Sequence, residues 1–189
     1  MHSQTRKSLS RRETLNAICP YFTMFPLSVP SRQLIGLALN DWVLDPFCGR
    51  GSTNYAARLL GLPSVGVDSN PVATAIAEGT MVATSAEDIE KSCMEILSSS
   101  AEVEVPQGEF WSLCYHSHTL SDLSRLRSAL IQDSSSPERK ALRALVLGML
   151  HGPRNKSAPS CLSNQMPRTY AAKPEYAVRF WTKSGLWPE

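Results

Sequence analysis

Two carboxylates, two glycines and two hydroxyls occur in this chain at spacings that suit a ligand carrying positive charge and hydroxyl groups. Asp45-Pro46-Phe47-Cys48-Gly49-Arg50-Gly51-Ser52-Thr53 follows directly on the apolar run Trp42-Val43-Leu44. The pattern predicts a buried strand ending in an acid, a glycine turn, and a helix capped by Ser52 or Thr53. Such a junction gathers a carboxylate and free backbone N–H groups at the carboxyl edge of a sheet, where open α/β folds bind their ligands. Gly49 and Gly51 let the main chain approach a bound molecule closely. A second acid, Asp68, ends the run Ser64-Val65-Gly66-Val67 and stands 23 residues after Asp45. An acid about 20 residues beyond a glycine turn is placed to accept from ribose hydroxyls. The chemistry expected is the binding of a nucleotide-like cofactor.

The dinucleotide-binding fingerprint fits poorly, because its third glycine position is occupied by Asn54. An acid at the strand end would also repel a pyrophosphate. Asp45-Pro46-Phe47-x-Gly49-x-Gly51-Ser52-Thr53 instead resembles the cofactor loop of the S-adenosylmethionine-dependent amino-methylating DNA methyltransferases. The resemblance implies a Rossmann-like α/β fold in which this loop lies against the methionine end of the cofactor, and Asp68, Ser69 and Asn70 belong to the same site. Upstream, Tyr21-Phe22-Thr23-Met24-Phe25-Pro26 precedes Pro30 and the amphipathic Leu34-Ile35-Leu37-Ala38. This segment is similar to the family's other cofactor segment, His-Pro-Thr-x-Lys-Pro. Thr23 and Pro26 match it, whereas Tyr21, Phe22 and Phe25 depart from it, so the contact normally made by the lysine does not carry over.

Methyl transfer to an exocyclic amine also needs the target base drawn out of the duplex and its amine held in line. In the family this is the work of Asp/Asn/Ser-Pro-Pro-Tyr/Phe/Trp. None of the 13 prolines here are adjacent, so that motif is absent. Methylation at cytosine carbon would need a cysteine following a proline, and Cys19-Pro20 has the opposite order. No residue is therefore assigned a catalytic role. The expected fold is an incomplete Rossmann-like one, with the catalytic motif lost or supplied by a second polypeptide. The expected activity is methylation of DNA at adenine N6 or cytosine N4. An RNA-modifying methyltransferase, or a non-catalytic subunit binding S-adenosylmethionine or nucleic acid, is the alternative.

These residues need elements to hold them. Asn70-Pro71 reads as a cap and first helical position, opening a helix to about Met81. Ser85 starts another, with Glu87 and Asp88 in its first turn and Ser98-Ser99-Ser100 at its end. Glu102–Val105 alternates like a short strand. Residues 109–118 are aromatic and irregular, and Cys114-x-His116-x-His118 has no second ligand pair at zinc-like spacing, so no metal is expected. Thr119 is the expected cap of a helix carrying Leu120, Leu123, Leu126, Leu130 and Ile131. Pro137 begins one carrying Leu142, Leu145, Val146, Met149 and Leu150, stopped by His151-Gly152-Pro153. Lys173-Pro174 reads as the opening of a last helix ending near Gly185, with a strand over Ala177–Trp181 as the alternative.

Charge divides the chain unevenly. Residues 1–39 hold five Lys and Arg against one acid, residues 40–138 five against fourteen, and residues 139–189 nine against two. The basic last third suits contact with a phosphate backbone. Within it the donor-rich loop 154–170 places Arg154, Lys156, Asn164 and Arg168 as candidate DNA contacts. Three regions follow: a basic arm over 1–20, a cofactor-binding βαβ region over 21–100, and a helical, basic region over 101–189. At 189 residues with 42% hydrophobic and 19% charged content the chain is of globular composition. No run approaches the ~18 apolar residues of a membrane span, and no secretory signal is evident at the first residues. Five widely spaced cysteines suit free thiols in a reducing compartment, with the cytoplasm expected.

Overall fold

The computed structural model describes residues 25–150, 162–163 and 173–188. In chain order the elements are α1 (Ser28–Leu34), β1 (Val43–Asp45), α2 (Ser52–Leu59), β2 (Ser64–Gly66), α3 (Pro71–Met81), α4 (Ala86–Leu97), α5 (Glu109–Cys114), α6 (Ser117–Gln132), α7 (Pro137–Met149) and α8 (Pro174–Lys183). The described residues form a mixed α/β structure, mostly helical, with one small parallel sheet.

β1 and β2 pair in parallel, with Leu44 opposite Val65 and Asp45 opposite Gly66. Side chains alternate across a strand. Val43 accordingly enters a core with Leu34, Ala56, Ala57 and Leu62, while Leu44 on the other face is 66% exposed. Val65 and Val67 are exposed as well. Sheets of parallel strands are ordinarily covered on both faces; here, among the described residues, one face is covered. The expected buried strand is thus buried on one side.

α3 carries the expected cap: the Asn70 side chain accepts the Val72 N–H at 2.9 Å, and Pro71 follows at the first helical position. Arg58 near the end of α2 donates to the carbonyls of Thr80 (2.6 Å) and Val82 (3.3 Å). A guanidinium at the carboxyl end of α3 satisfies carbonyls that have no helical partner and complements the helix dipole. Gly79 of α3 packs directly on Ala144 and the Lys140 backbone of α7, and Arg143 pairs with Glu78 at 2.6 Å beside that crossing. The sheet-flanking helix is in this way joined to the helical region.

Two further cores serve that region. Ile96, Leu126, Leu130 and Leu142 join α4, α6 and α7. Leu113, Cys114, Tyr115, Leu120 and Leu123 surround Ala177 and Trp181 of α8. The Tyr115 hydroxyl donates to the Leu150 carbonyl at 2.9 Å, tying α5 to the end of α7.

Several elements differ from the sequence expectation. Residues 102–105 form no strand; with acids at alternate positions and no strand beside them, the alternation has nothing to pair with. The stretch expected to be irregular contains α5, whose turn places Leu113 and Cys114 inward against Trp181. α6 is capped by His116, not Thr119, and begins at Ser117; His116 Nδ1 accepts the His118 N–H at 3.4 Å. Ile131 lies at 70% exposure, off the buried stripe of α6. The first helix precedes the expected amphipathic stretch, since Gly36 adopts φ 97° and turns the chain away after Leu34. The helix beginning at Ser85 has its expected cap, with the Ser85 hydroxyl accepting the Asp88 N–H at 3.1 Å.

Candidate functional site

The loop after β1 is shaped by two left-handed glycines. Gly49 has φ 53° and Gly51 φ 81°, a region that side-chain-bearing residues adopt at a cost. The turn closes through the Gly51 N–H, which donates to the Cys48 carbonyl at 2.8 Å. Gly51 is itself the N-cap of α2, with no side-chain cap hydrogen bond. The capping expected of Ser52 or Thr53 is therefore corrected: both lie inside the helix, past the cap position, because the glycine turn ends one residue earlier. A Cβ on Gly49 would meet nothing within 4 Å, whereas one on Gly51 would lie 2.9 Å from the Ala77 Cβ. The first glycine thus faces open space and the second seats the loop on α3.

Asp68 holds the two loops together. Its Oδ2 accepts the Gly49 N–H at 2.9 Å, and its Oδ1 accepts the Asn70 N–H at 2.8 Å. Asp45 Oδ1 accepts the Phe47 N–H at 3.2 Å within its own turn. The backbone runs on as an extension of the ladder, with the Val67 N–H donating to the Asp45 carbonyl and the Cys48 N–H to the Val67 carbonyl, each at 2.9 Å. Both acids therefore stand at the same end of the sheet. Cys48 registers both of them: burial pushes its thiol up first, and the negative charges of Asp68 and then Asp45 push it further. An ionised carboxylate has about four lone-pair sites, so each acid keeps acceptor capacity beyond these bonds. Phe47 is 87% exposed at the rim of the loop. Pro46 and Ser69 are exposed, and Thr53 is half-buried.

The other expected site residues are not brought here by any described contact. Pro26 is exposed, its carbonyl accepting the Val29 N–H at 2.9 Å at the start of α1. Thr23, and the candidate DNA contacts Arg154, Lys156, Asn164 and Arg168, lie outside the described residues. Among the described residues no group of three or more His, Cys, Asp or Glu could hold a metal.

Two buried polar residues were not singled out by sequence. Arg50, between the two glycines, is 4% exposed. Asn54 is 5% exposed, and its Oδ1 has no hydrogen-bond partner among the described residues. That oxygen would lie 2.7 Å from a Cβ on Gly66, so Asn54 packs under the end of β2. The one signal for it was an asparagine standing where a dinucleotide fold has its third glycine.

The set is chemically consistent. Two acceptor-only carboxylates at the edge of an open glycine turn suit a cationic ligand rich in hydroxyls and not a pyrophosphate.

Comparison with known proteins places a family on this region. Residues 3–79 match the model of a DNA methylase family, N6_N4_Mtase. Type II methyltransferase M.BsoBI from Geobacillus stearothermophilus is similar, at 46% identity over 37 residues, which is 20% of this chain and 7% of that protein. The match therefore spans a small part of the relative's length. No solved structure matches the chain. Sequence match and loop geometry converge on the same stretch, since residues 3–79, which match the DNA methylase family, contain β1, the glycine turn and Asp68.

Proposed function

We propose that the chain binds S-adenosylmethionine between the loop 45–53 and residues 68–70, as part of an enzyme that methylates DNA at adenine N6 or cytosine N4. The observation that carries this reading is the Asp68 carboxylate, which accepts the Gly49 N–H at 2.9 Å and so stands at the open turn that follows Asp45. Bound there, the cofactor would supply a methyl group activated by its sulfonium. Asp68 uses its remaining lone pairs for ribose hydroxyls, with Ser69 and Asn70 beside it. Asp45 opposes the positive methionine end. Gly49 leaves room for the ligand, and the Phe47 ring closes over its apolar surface.

In this reading β1, α2 and β2 are the beginning of a Rossmann-like sheet, and residues 21–100 form the cofactor region. Thr23 and Pro26 complete it from upstream. The helical region 101–189 faces DNA, with Arg154, Lys156, Asn164 and Arg168 on phosphates and base edges. The Pro-Pro-aromatic motif is absent from the 189 residues; in this reading the enzyme is cytoplasmic and takes that motif from outside them, from a second polypeptide or from further sequence. The same absence favours one other reading, a non-catalytic subunit that binds the cofactor or nucleic acid.

Ultraviolet crosslinking with methyl-labelled S-adenosylmethionine tests the proposal. Label should enter a peptide within residues 45–70, and S-adenosylhomocysteine should compete for it while ATP should not. Label confined to other peptides, or equal competition by ATP, would refute it.

A further inference from the structure

The last helix presents a face that the cofactor site does not use. Ala177 and Trp181 point into the core, where Trp181 stacks on Phe110 with centroids 5.7 Å apart. The exposed flank beside them carries Tyr176 and Phe180, one turn apart, at 69% and 51% exposure. Their rings are parallel within 8°, with centroids 6.4 Å apart. Arg179 and Lys183 fall at i+3 and i+7 from Tyr176, on the same side of a helix with 3.6 residues per turn. Lys173, the N-cap, stands three residues before Tyr176. Among the described residues none of the three cations is in an ion pair. The one acid of the helix is Glu175.

Two exposed, parallel aromatic rings bracketed by three cations are costly to leave bare in water. They complement a polyanion that also carries flat apolar faces. A closed duplex buries its base faces in its own stack and offers these rings nothing but phosphates. An unpaired strand offers both, with each base stacked on an aromatic worth ~1–3 kcal/mol. We infer that the exposed face of α8 is a docking platform for an unpaired stretch of DNA, with Tyr176 and Phe180 stacking on bases and Lys173, Arg179 and Lys183 holding phosphates. The inference rests on the reading that DNA is the partner, and is independent of the cofactor loop. An enzyme that draws a base from the duplex leaves unpaired nucleotides beside it, and this face would hold them.

The test uses the full chain and a fluorescently labelled twelve-nucleotide oligo-dT, compared by anisotropy with a duplex and with an abasic oligomer of the same length. Wild-type protein should prefer the oligo-dT to both. Tyr176→Ala/Phe180→Ala should lower oligo-dT affinity by about tenfold or more and leave abasic binding unchanged. Tyr176→Leu/Phe180→Leu, which keeps apolar bulk and helix propensity, should lose as much. Arg179→Gln/Lys183→Gln should weaken binding to every oligomer and flatten its salt dependence. Unchanged oligo-dT affinity in the alanine pair, or full retention in the leucine pair, would overturn the inference. So would wild-type self-association in sedimentation that the alanine pair abolishes, since the rings would then be a protein contact. Calorimetry with S-adenosylmethionine on the same samples separates the two proposals. Cofactor binding with ring-independent oligo-dT binding sinks this one alone, and the reverse pattern sinks the cofactor site alone.

Discussion

Gly79 of α3 lies against Ala144 of α7 so closely that a Cβ at position 79 would overlap the Ala144 methyl and stand 2.8 Å from the Lys140 carbonyl oxygen. Backbone oxygen cannot swing aside as a flexible side chain can. Alanine at a mid-helix glycine normally gains up to ~1 kcal/mol in propensity, but overpacking typically costs ~1–3 kcal/mol. Gly79→Ala should therefore be destabilising on balance, seen as a lower urea midpoint. A raised midpoint would show that the two helices separate at no cost.

The two loop glycines should respond differently to the same substitution. Gly51→Ala meets both a left-handed φ of 81° and the Ala77 Cβ at 2.9 Å, so it should lose ~2–4 kcal/mol of stability. Gly49→Ala meets only a left-handed φ of 53°, with open space around its Cβ, and should lose ~1–2 kcal/mol. Its new methyl would intrude on the proposed ligand, so binding of S-adenosylmethionine should suffer more than folding. Thermal unfolding and calorimetry on the pair check both orders.

The glycine loop between the two acids was legible because each of its requirements is local. Strand, acid, glycine turn and second acid follow one another in sequence, and their spacing fixes their geometry. The Asn70-Pro71 and Ser85 caps were legible for the same reason. Ser52 and Thr53 misled because a hydroxyl near a helix start resembles a cap when the turn length before it is unknown. α5 was missed because its six residues show no full helical period, and only packing on Trp181 from a helix sixty residues away makes it fold inward. Tyr176 and Phe180 read as ordinary helix residues until Ala177 and Trp181 are seen to take the core. Which face of a helix is left over is decided by tertiary packing, not by its own sequence.

Alkaline pH should loosen the helical region. Burial pushes the Cys114 thiol from 9.0 up to about 12, against the opposing hydrogen bonds of Ser163 and Tyr115. Burial likewise raises the neighbouring Tyr115 phenol. Both groups are neutral when protonated, so the folded chain holds their protons more tightly than the unfolded chain does. This contribution is fully present below the unfolded thiol value near pH 9 and is lost as pH climbs toward 12. For Cys114 it amounts to about 4 kcal/mol at most. Denaturant titrations across that window should show stability falling, with a shallower fall in Cys114→Ala.

Methyl transfer to duplex DNA by the isolated 189 residues should be undetectable in a tritium assay, because no Pro-Pro-aromatic motif is present to hold the target amine. Measurable turnover would show that another segment of this chain does that work.

The central claim is tested most directly by calorimetric titration of S-adenosylmethionine into the wild-type chain and into Asp68→Ala. Removing the carboxylate takes away a charged acceptor for the ribose and releases the Gly49 N–H it holds at 2.9 Å. A charge-assisted hydrogen bond contributes ~1.5–3 kcal/mol, so the variant should bind about 10- to 150-fold more weakly. Equal affinity in the two proteins, or no binding by the wild type, would contradict the account.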